Sequence, residues 1–277
     1  MNPSPAASRI SLAQWSVHRA IERGELRSVD FLRLAREEFG IEAVELVNTL
    51  LDGGGENALS GLRRQAGEVG VEILLIMVDD EGDLAARDDA ERREAVRRHT
   101  RWIDAAALLG CQAIRVNTGG GAEVEGNRPL EEPAVRETLE RVGESCAELC
   151  ERARPAGLDV LVENHGGLSS NIAAVVELQR QVGHENFGTL PDFGNFAPGE
   201  DRYRAVAELM PYARAVSAKC YDFDDEGNEC TMDYPRLLEI VQRAGYRGRL
   251  GIEYEGDRLD EFEGIRASRR LLERLLA

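Results

Sequence analysis

Eight short apolar or β-branched runs recur along the chain, each followed by a longer Arg- and Glu-rich stretch with helical periodicity. They are Ile10–Gln14, Ala43–Val47, Val71–Val78, Ala113–Asn117, Asp159–Glu163, Gly188–Asp192, Ala215–Lys219 and Arg249–Glu253. Alternating strands and helices imply a parallel sheet, because a parallel neighbour is reached only through a crossover. Eight such units in 277 residues, with no break in composition, predict an α/β fold: a single (β/α)8 TIM barrel. A doubly wound sheet would need a Gly-x-Gly-x-x-Gly turn after an early strand. The glycine runs at 53–55 and 119–121 open no matching helix. The clearest helix is predicted from Asp88 to Leu109, where Val96, Trp102, Ile103, Ala106 and Leu109 fall at helical spacing before Gly110. Residues 1–9 are expected to form a short disordered tail, with the barrel filling 10–277.

A hydrophobic fraction of 43% supports a large core. The net charge of −17 sets a field that repels phosphate backbones, so neither nucleic acid nor an anionic membrane is an expected partner. No apolar run approaches the roughly 18 residues that cross a bilayer. The opening MNPSPAASRISLAQW lacks the basic and apolar regions of a signal peptide. Five cysteines, odd in number and without Cys-x-x-Cys, read as free thiols in a reducing cytoplasm, not as a thiolate zinc site. Nothing in the chain fixes its oligomeric state; a homo-oligomer is compatible with it.

Chemistry in such a barrel sits at the C-terminal ends of the strands. The fifth strand ends Val162-Glu163-Asn164-His165, and side chains two apart share a face, so Glu163 and His165 are expected to point into the mouth. The sixth ends Pro191-Asp192-Phe193-Gly194-Asn195 and the eighth Ile252-Glu253-Tyr254-Glu255. Any one acid there reads as a solvated loop residue or a cap. Glu163, Asp192 and Glu253 on three strands read as a site, and a divalent cation or a shared proton would relieve their repulsion. Gln14, Trp15 and His18 follow the first strand as candidate substrate contacts; the indole would stack on a sugar face or serve as core. Asn117 and Asn195 either bind a substrate hydroxyl or cap a loop. Glu45 and Arg115 are expected to form a buried ion pair, since alternate strands supply each barrel layer.

The strings VENHGG, LPDFGNF, AVSAKCYDF and GRLGIEYEG, with ISLAQWSVHRA and IEAVELV before them, resemble the xylose isomerase-like barrel superfamily, the sugar phosphate isomerase/epimerase group. The resemblance runs in motif order from about Ile10 to Gly256. It implies one divalent ion on Glu163, Asp192 and Glu253. The family's fourth ligand is a strand-seven His two residues before a Lys, and here Ser217 stands two residues before Lys219. Either His165 supplies the imidazole, or the Lys219 ammonium partly replaces the metal charge. Oxygen ligands suit Mg²⁺ or Mn²⁺ better than Zn²⁺. The resemblance also implies that Glu163 and Glu253 move protons, with Lys219 acting as a general acid or forming a salt bridge to Asp192 or Glu253.

The acidic loops at 222–226 and 253–257 disfavour a phosphorylated ligand and favour a neutral carbohydrate: a sugar, keto-sugar, glycoside or cyclitol. The expected function is an isomerase or epimerase that abstracts a proton next to a carbonyl. A dehydratase or lyase would use the same site, and a sugar-binding or partner subunit without chemistry is the third reading, with Ser217 as its best support. An endonuclease with several zinc ions needs a His-rich cluster that four histidines do not supply.

Overall fold

The structure, a computed structural model, describes residues 7–53, 55–196 and 199–277. Its strands are β1 Ile10–Ala13, β2 Ala43–Val47, β3 Glu72–Val78, β4 Ala113–Val116, β5 Asp159–Glu163, β6 Phe187–Leu190, β7 Val216–Cys220 and β8 Leu250–Tyr254. The helices are α1 His18–Glu22, α2 Phe31–Glu37, α3 Glu56–Val69, α4 Asp89–Leu109, α5 Pro133–Ala153, α6 Ile172–Val182, α7 Arg202–Leu209, α8 Tyr234–Arg243 and α9 Glu261–Leu276. Every expected strand is present, displaced by at most two residues at either end. The expected tail falls largely on residues 1–6, outside the described residues. Ala7–Arg9 forms a 3-10 turn instead of a disordered lead, and Arg249 donates to the Ser8 carbonyl at 2.8 Å.

All neighbouring strands pair in parallel, in the order β6-β5-β4-β3-β2-β1-β8-β7. The ring closes between β6 and β7 through single bridges, Thr189 with Ala213 and Asp192 with Ser217. Pro191 has no N–H to continue a ladder there. Its carbonyl accepts from the Ser217 N–H at 3.0 Å, and Phe193 N–H donates to the Ser217 carbonyl at 3.1 Å. This seam sets Asp192 beside Ser217.

Strand parity divides the side chains into two environments. Outward residues such as Val44, Ile76, Ile114, Val160, Val162 and Ile252 join the core beneath the helices. Inward residues Ala13, Val47, Leu75, Met77, Ala113, Leu161 and Leu190 form a separate cluster inside the barrel. Truncating one of these, as in Leu161→Ala, would cost about 2–5 kcal/mol. Beside this cluster the inward positions become polar: Arg115, Glu163, Asp192, Lys219 and Glu253 are all buried.

Helix α4 begins where the Asp88 carboxylate accepts the Ala90 and Glu91 N–H groups at 2.8 and 2.9 Å. It ends at Gly110, whose φ of 80° a residue with a Cβ rarely adopts.

The expected Glu45–Arg115 pair does not form. Glu45 lies level with Ala13 and Leu75, whereas Arg115 lies level with Met77 and Leu161. Two residues along a strand separate the layers by roughly 6.6 Å. Glu45 instead accepts from Ser11 Oγ at 2.7 Å.

Candidate active site

Strands β5, β7 and β8 and the turn after β6 bring Glu163, Asp192, Lys219 and Glu253 together at the C-terminal mouth. One carboxylate oxygen from each of Glu163, Asp192 and Glu253 lies within 4.8 Å of the other two. Lys219 Nζ stands 2.9 Å from Glu253 Oε1, 3.2 Å from Glu255 Oε2 and 3.9 Å from Asp192 Oδ2. The Lys219 side chain is 2% exposed, so these charges act with little solvent screening.

The rest of the shell holds these groups in place. Asn195 bridges two of them, its amide N–H donating to Glu163 Oε1 at 3.1 Å and its carbonyl accepting from Lys219 at 2.9 Å. Asp192 Oδ1 accepts the Gly194 and Asn195 N–H groups, both at 2.7 Å. Asn164 locks the same turn by accepting from the Asp192 N–H at 2.8 Å and donating to its carbonyl at 3.0 Å. Ser217 Oγ donates to Glu253 Oε2 at 3.3 Å, so a small hydroxyl lies where the resemblance expects an imidazole.

On the other side Arg115 lies between two acids. Its Nε is 2.9 Å from Glu163 Oε2, and an N–H of its terminal nitrogen donates to Asp79 Oδ1 at 2.6 Å. The first contact is a charge pair without a directed hydrogen bond, so Glu163 Oε2 has no hydrogen-bond partner. Asp192 Oδ2 is likewise buried without a hydrogen-bond partner.

These surroundings shift the acids in opposite directions. Burial raises the Glu163 carboxyl; Arg115 opposes that rise and the Asp192 charge adds to it. Burial also raises Asp192, against the pull of Lys219. Glu253 is buried too, but the charge and hydrogen bond of Lys219 outweigh desolvation and hold it below the ordinary carboxylate range. Desolvation works against the Lys219 ammonium, yet Asp192, Glu253 and Glu255 drive it well above the ordinary lysine range. Lys219 is therefore positively charged at neutral pH. Of the two roles read from the sequence, the salt bridge to Glu253 is the one the geometry contains.

Above these groups opens a cavity of about 280 Å³. Trp15, Val47 and Met77 give it an apolar side; Asp79, Arg115, Asn117, His165, Glu253 and Glu255 give it a polar one. The Trp15 ring stacks on His18 with centroids 4.3 Å apart, and its indole N–H donates to Glu255. His18 thus backs the indole from outside the cavity lining. Gln14 is fully buried, donating to Ser28 Oγ at 2.8 Å and accepting from the Val47 N–H at 3.0 Å. It has the outward parity of β1 and ties that strand's end to β2, so it is corrected to a structural role. The amides of Asn195 and Asn117 are already committed, the latter donating to Asp79 at 2.7 Å and accepting from Arg115 at 3.1 Å. Only Asn117 lines the cavity.

His165 lines the cavity, but its ring nitrogens are not among the ligand atoms that converge. It is corrected from metal ligand to cavity wall. Desolvation in the mouth, together with Arg115 and Lys219, holds its imidazole below the ordinary range and hence neutral at pH 7. The acidic run 222–226 is largely occupied elsewhere: Asp222 pairs with Arg258 at 3.5 Å and Asp224 accepts from Asn228 within its own turn. The acids facing a ligand are Asp79, Asp80, Glu253 and Glu255. Glu255 belongs to the acidic run 253–257 read from the sequence, whereas Asp79 and Asp80 were not singled out there, although Asp79 shares the inward parity of Met77.

Three carboxylates from separate chain segments, two of whose buried oxygens have no hydrogen-bond partner, fit a hard divalent cation. The donor set lacks the nitrogen and sulfur ligands that zinc favours.

A family model described as xylose isomerase-like TIM barrel matches residues 32–275. A 49-residue segment is 47% identical to the C-glycoside deglycosidase alpha subunit of Arthrobacter globiformis, covering 18% of this chain and 14% of that protein. The fold is similar to 3-keto-D-glucoside 4-epimerase from E. coli, with a TM-score of 0.70 at 17% identity over 90% of this chain and 94% of that one. It is also similar to a xylose isomerase-like TIM barrel protein from Mycobacterium smegmatis in complex with magnesium, with a TM-score of 0.69 at 17% identity over 100% of both chains. At these identities the two structures share the fold.

Proposed function

Because the chain belongs to the xylose isomerase-like TIM barrel family, we propose that it abstracts a proton next to a carbonyl of a non-phosphorylated sugar, keto-sugar or cyclitol, giving isomerisation or epimerisation. The observation that carries this reading is the convergence of Glu163, Asp192 and Glu253 around the fixed charge of Lys219. Proton abstraction at such a carbon needs a base and a positive charge for the oxygen that becomes negative. Glu253 lines the cavity, and carboxylate oxygens of Glu163 and Glu253 lie within 4.8 Å of each other. One takes the proton and the other returns it, which would invert a centre if they address opposite faces. Lys219 contributes positive charge without titrating. Glu163, Asp192 and Glu253 would hold one Mg²⁺ or Mn²⁺ ion, which when bound polarises the carbonyl oxygen. Trp15 offers its free face to the sugar's C–H surface, and neutral His165 binds a hydroxyl. The acids Asp79, Asp80 and Glu255 at the cavity repel phosphate and favour a neutral substrate.

The match to a deglycosidase alpha subunit favours a second reading, elimination from a keto-glycoside. It begins with the same proton abstraction and then expels the β-substituent. Mass spectrometry of products separates the two: equal mass supports isomerisation, and a lost aglycone or water supports elimination. Turnover of sugar phosphates in preference to neutral sugars would contradict the substrate class.

A further inference from the structure

Glu45 takes no part in the chemistry at the C-terminal mouth, yet its carboxyl group is buried and half partnered. Oε1 accepts from Ser11, while Oε2 has no hydrogen-bond partner. The group lies flat against Gly251 of β8, where a Cβ would fall 2.4 Å from Oε1 and 2.7 Å from Oε2. Only glycine leaves that space.

Beside it, at the N-terminal ends of the strands, lies a cavity of about 310 Å³. Arg9, Arg214, Arg247 and Arg249 stand around it, against the two acids Glu45 and Asp159. In a chain of net charge −17, that is a local reversal of sign. Arg214 is tethered to the Glu185 carbonyl, and Arg249 to the Ser8 carbonyl and, at 3.4 Å, to the Glu72 carboxylate, whereas Arg9 and Arg247 have no ion pair among the described residues.

The two ends of the cavity ask for different groups. An unsatisfied buried oxygen calls for a hydrogen-bond donor, and guanidinium groups call for a carboxylate or phosphate. The excess positive charge disfavours an ammonium, which leaves a hydroxyl as the donor. Burial raises the Glu45 acid to about 7, which also suits a neutral partner. We propose that the N-terminal mouth is a second small-molecule site, taking a polyhydroxylated anion (a sugar acid or a sugar phosphate) with its charge among the arginines and a hydroxyl donating to Glu45. A cavity of this size is at the small end of ligand sites, which start at about 300 Å³.

Titration calorimetry of the full-length protein with D-gluconate, D-glucose 6-phosphate, D-glucose and inorganic phosphate tests this. One or both of the organic anions should bind at one site, about tenfold or more tighter than glucose and inorganic phosphate. Gluconate alone would identify a carboxylate ligand and glucose 6-phosphate alone a phosphate ligand. The Arg9→Ala/Arg247→Ala double variant, altered only at the rim, should keep its circular dichroism spectrum and lose about tenfold in affinity. Absence of binding by both organic anions at millimolar concentration, or binding that the double variant leaves unchanged, overturns the proposal. Inorganic phosphate binding as tightly as glucose 6-phosphate removes the role assigned to Glu45.

Discussion

Lys219 Nζ lies 2.9 Å from Glu253 Oε1, and the two residues are direct partners in the β7–β8 register. A permanent ammonium is thereby fixed among the acids at the barrel mouth, in a chain whose strand β7 carries Ser217 where the family resemblance expects an imidazole. The pair also explains why Glu253 stays ionised while Glu163 and Asp192 are pushed toward protonation.

Removing the ammonium leaves buried acids without their counter-charge. Lys219→Met is expected to lower stability by about 3–5 kcal/mol, as for other buried pairs broken on one side, and to reduce turnover sharply. Denaturant unfolding of the variant measures the first effect. An unchanged midpoint would show that the ammonium is not compensating these carboxylates.

Glu163 behaves oppositely, because burial disfavours its charged form. Glu163→Gln keeps the shape and removes a costly charge, so the fold should melt no lower than wild type. Turnover should fall by about 10²–10⁴-fold, the usual contribution of a general base. A variant that keeps its activity would take Glu163 out of the chemistry.

Asp192 gives Oδ1 to two backbone N–H groups, while Oδ2, 3.9 Å from the Lys219 ammonium, has no hydrogen-bond partner and can take an ion. Calorimetric titration with Mn²⁺ should show one site, weakened at least about tenfold by Asp192→Asn through loss of a charged ligand. Equal affinity in the variant would place the ion elsewhere.

Burial raises Glu45 from 4.5 to about 7. An acid with a raised folded pKa contributes its stability fully below the unfolded value, and that contribution is lost as pH rises through the folded one. The change across the window is on the order of 3 kcal/mol. Melting temperatures of wild type and Glu45→Gln should therefore converge in shape outside pH 4.5–7, with the wild type falling more steeply inside it. Parallel curves across that window would contradict a buried, raised Glu45.

The barrel could be read from the sequence because each strand carries its own period and bounding turns, and the mouth acids follow from parity at the strand ends. What failed was anything set by the third dimension. Glu45 and Arg115 share inward parity, but the strand stagger puts them in different layers, which sequence spacing alone does not show. Gln14 follows a strand as the substrate contacts do, yet its outward parity turns it into the scaffold. Asn195 was visible as a polar residue near the site. Its use as a bridge between Glu163 and Lys219 depends on how the turn after Pro191 folds back. Asp79 was detectable, two residues beyond Met77, but it is Arg115 and Asn117, both donating to it, that give it a reason to be there.

The most direct measurement is solvent isotope exchange. The full-length protein, supplied with Mg²⁺ or Mn²⁺ and a panel of neutral keto-sugars and inososes in D₂O, should place deuterium on the carbon next to the carbonyl of at least one of them. That exchange should vanish in Glu253→Gln or Glu163→Gln, whichever removes the base that takes the proton. Sugar that binds while no member of the panel takes up deuterium would contradict proton abstraction and leave a carbohydrate-binding subunit in its place.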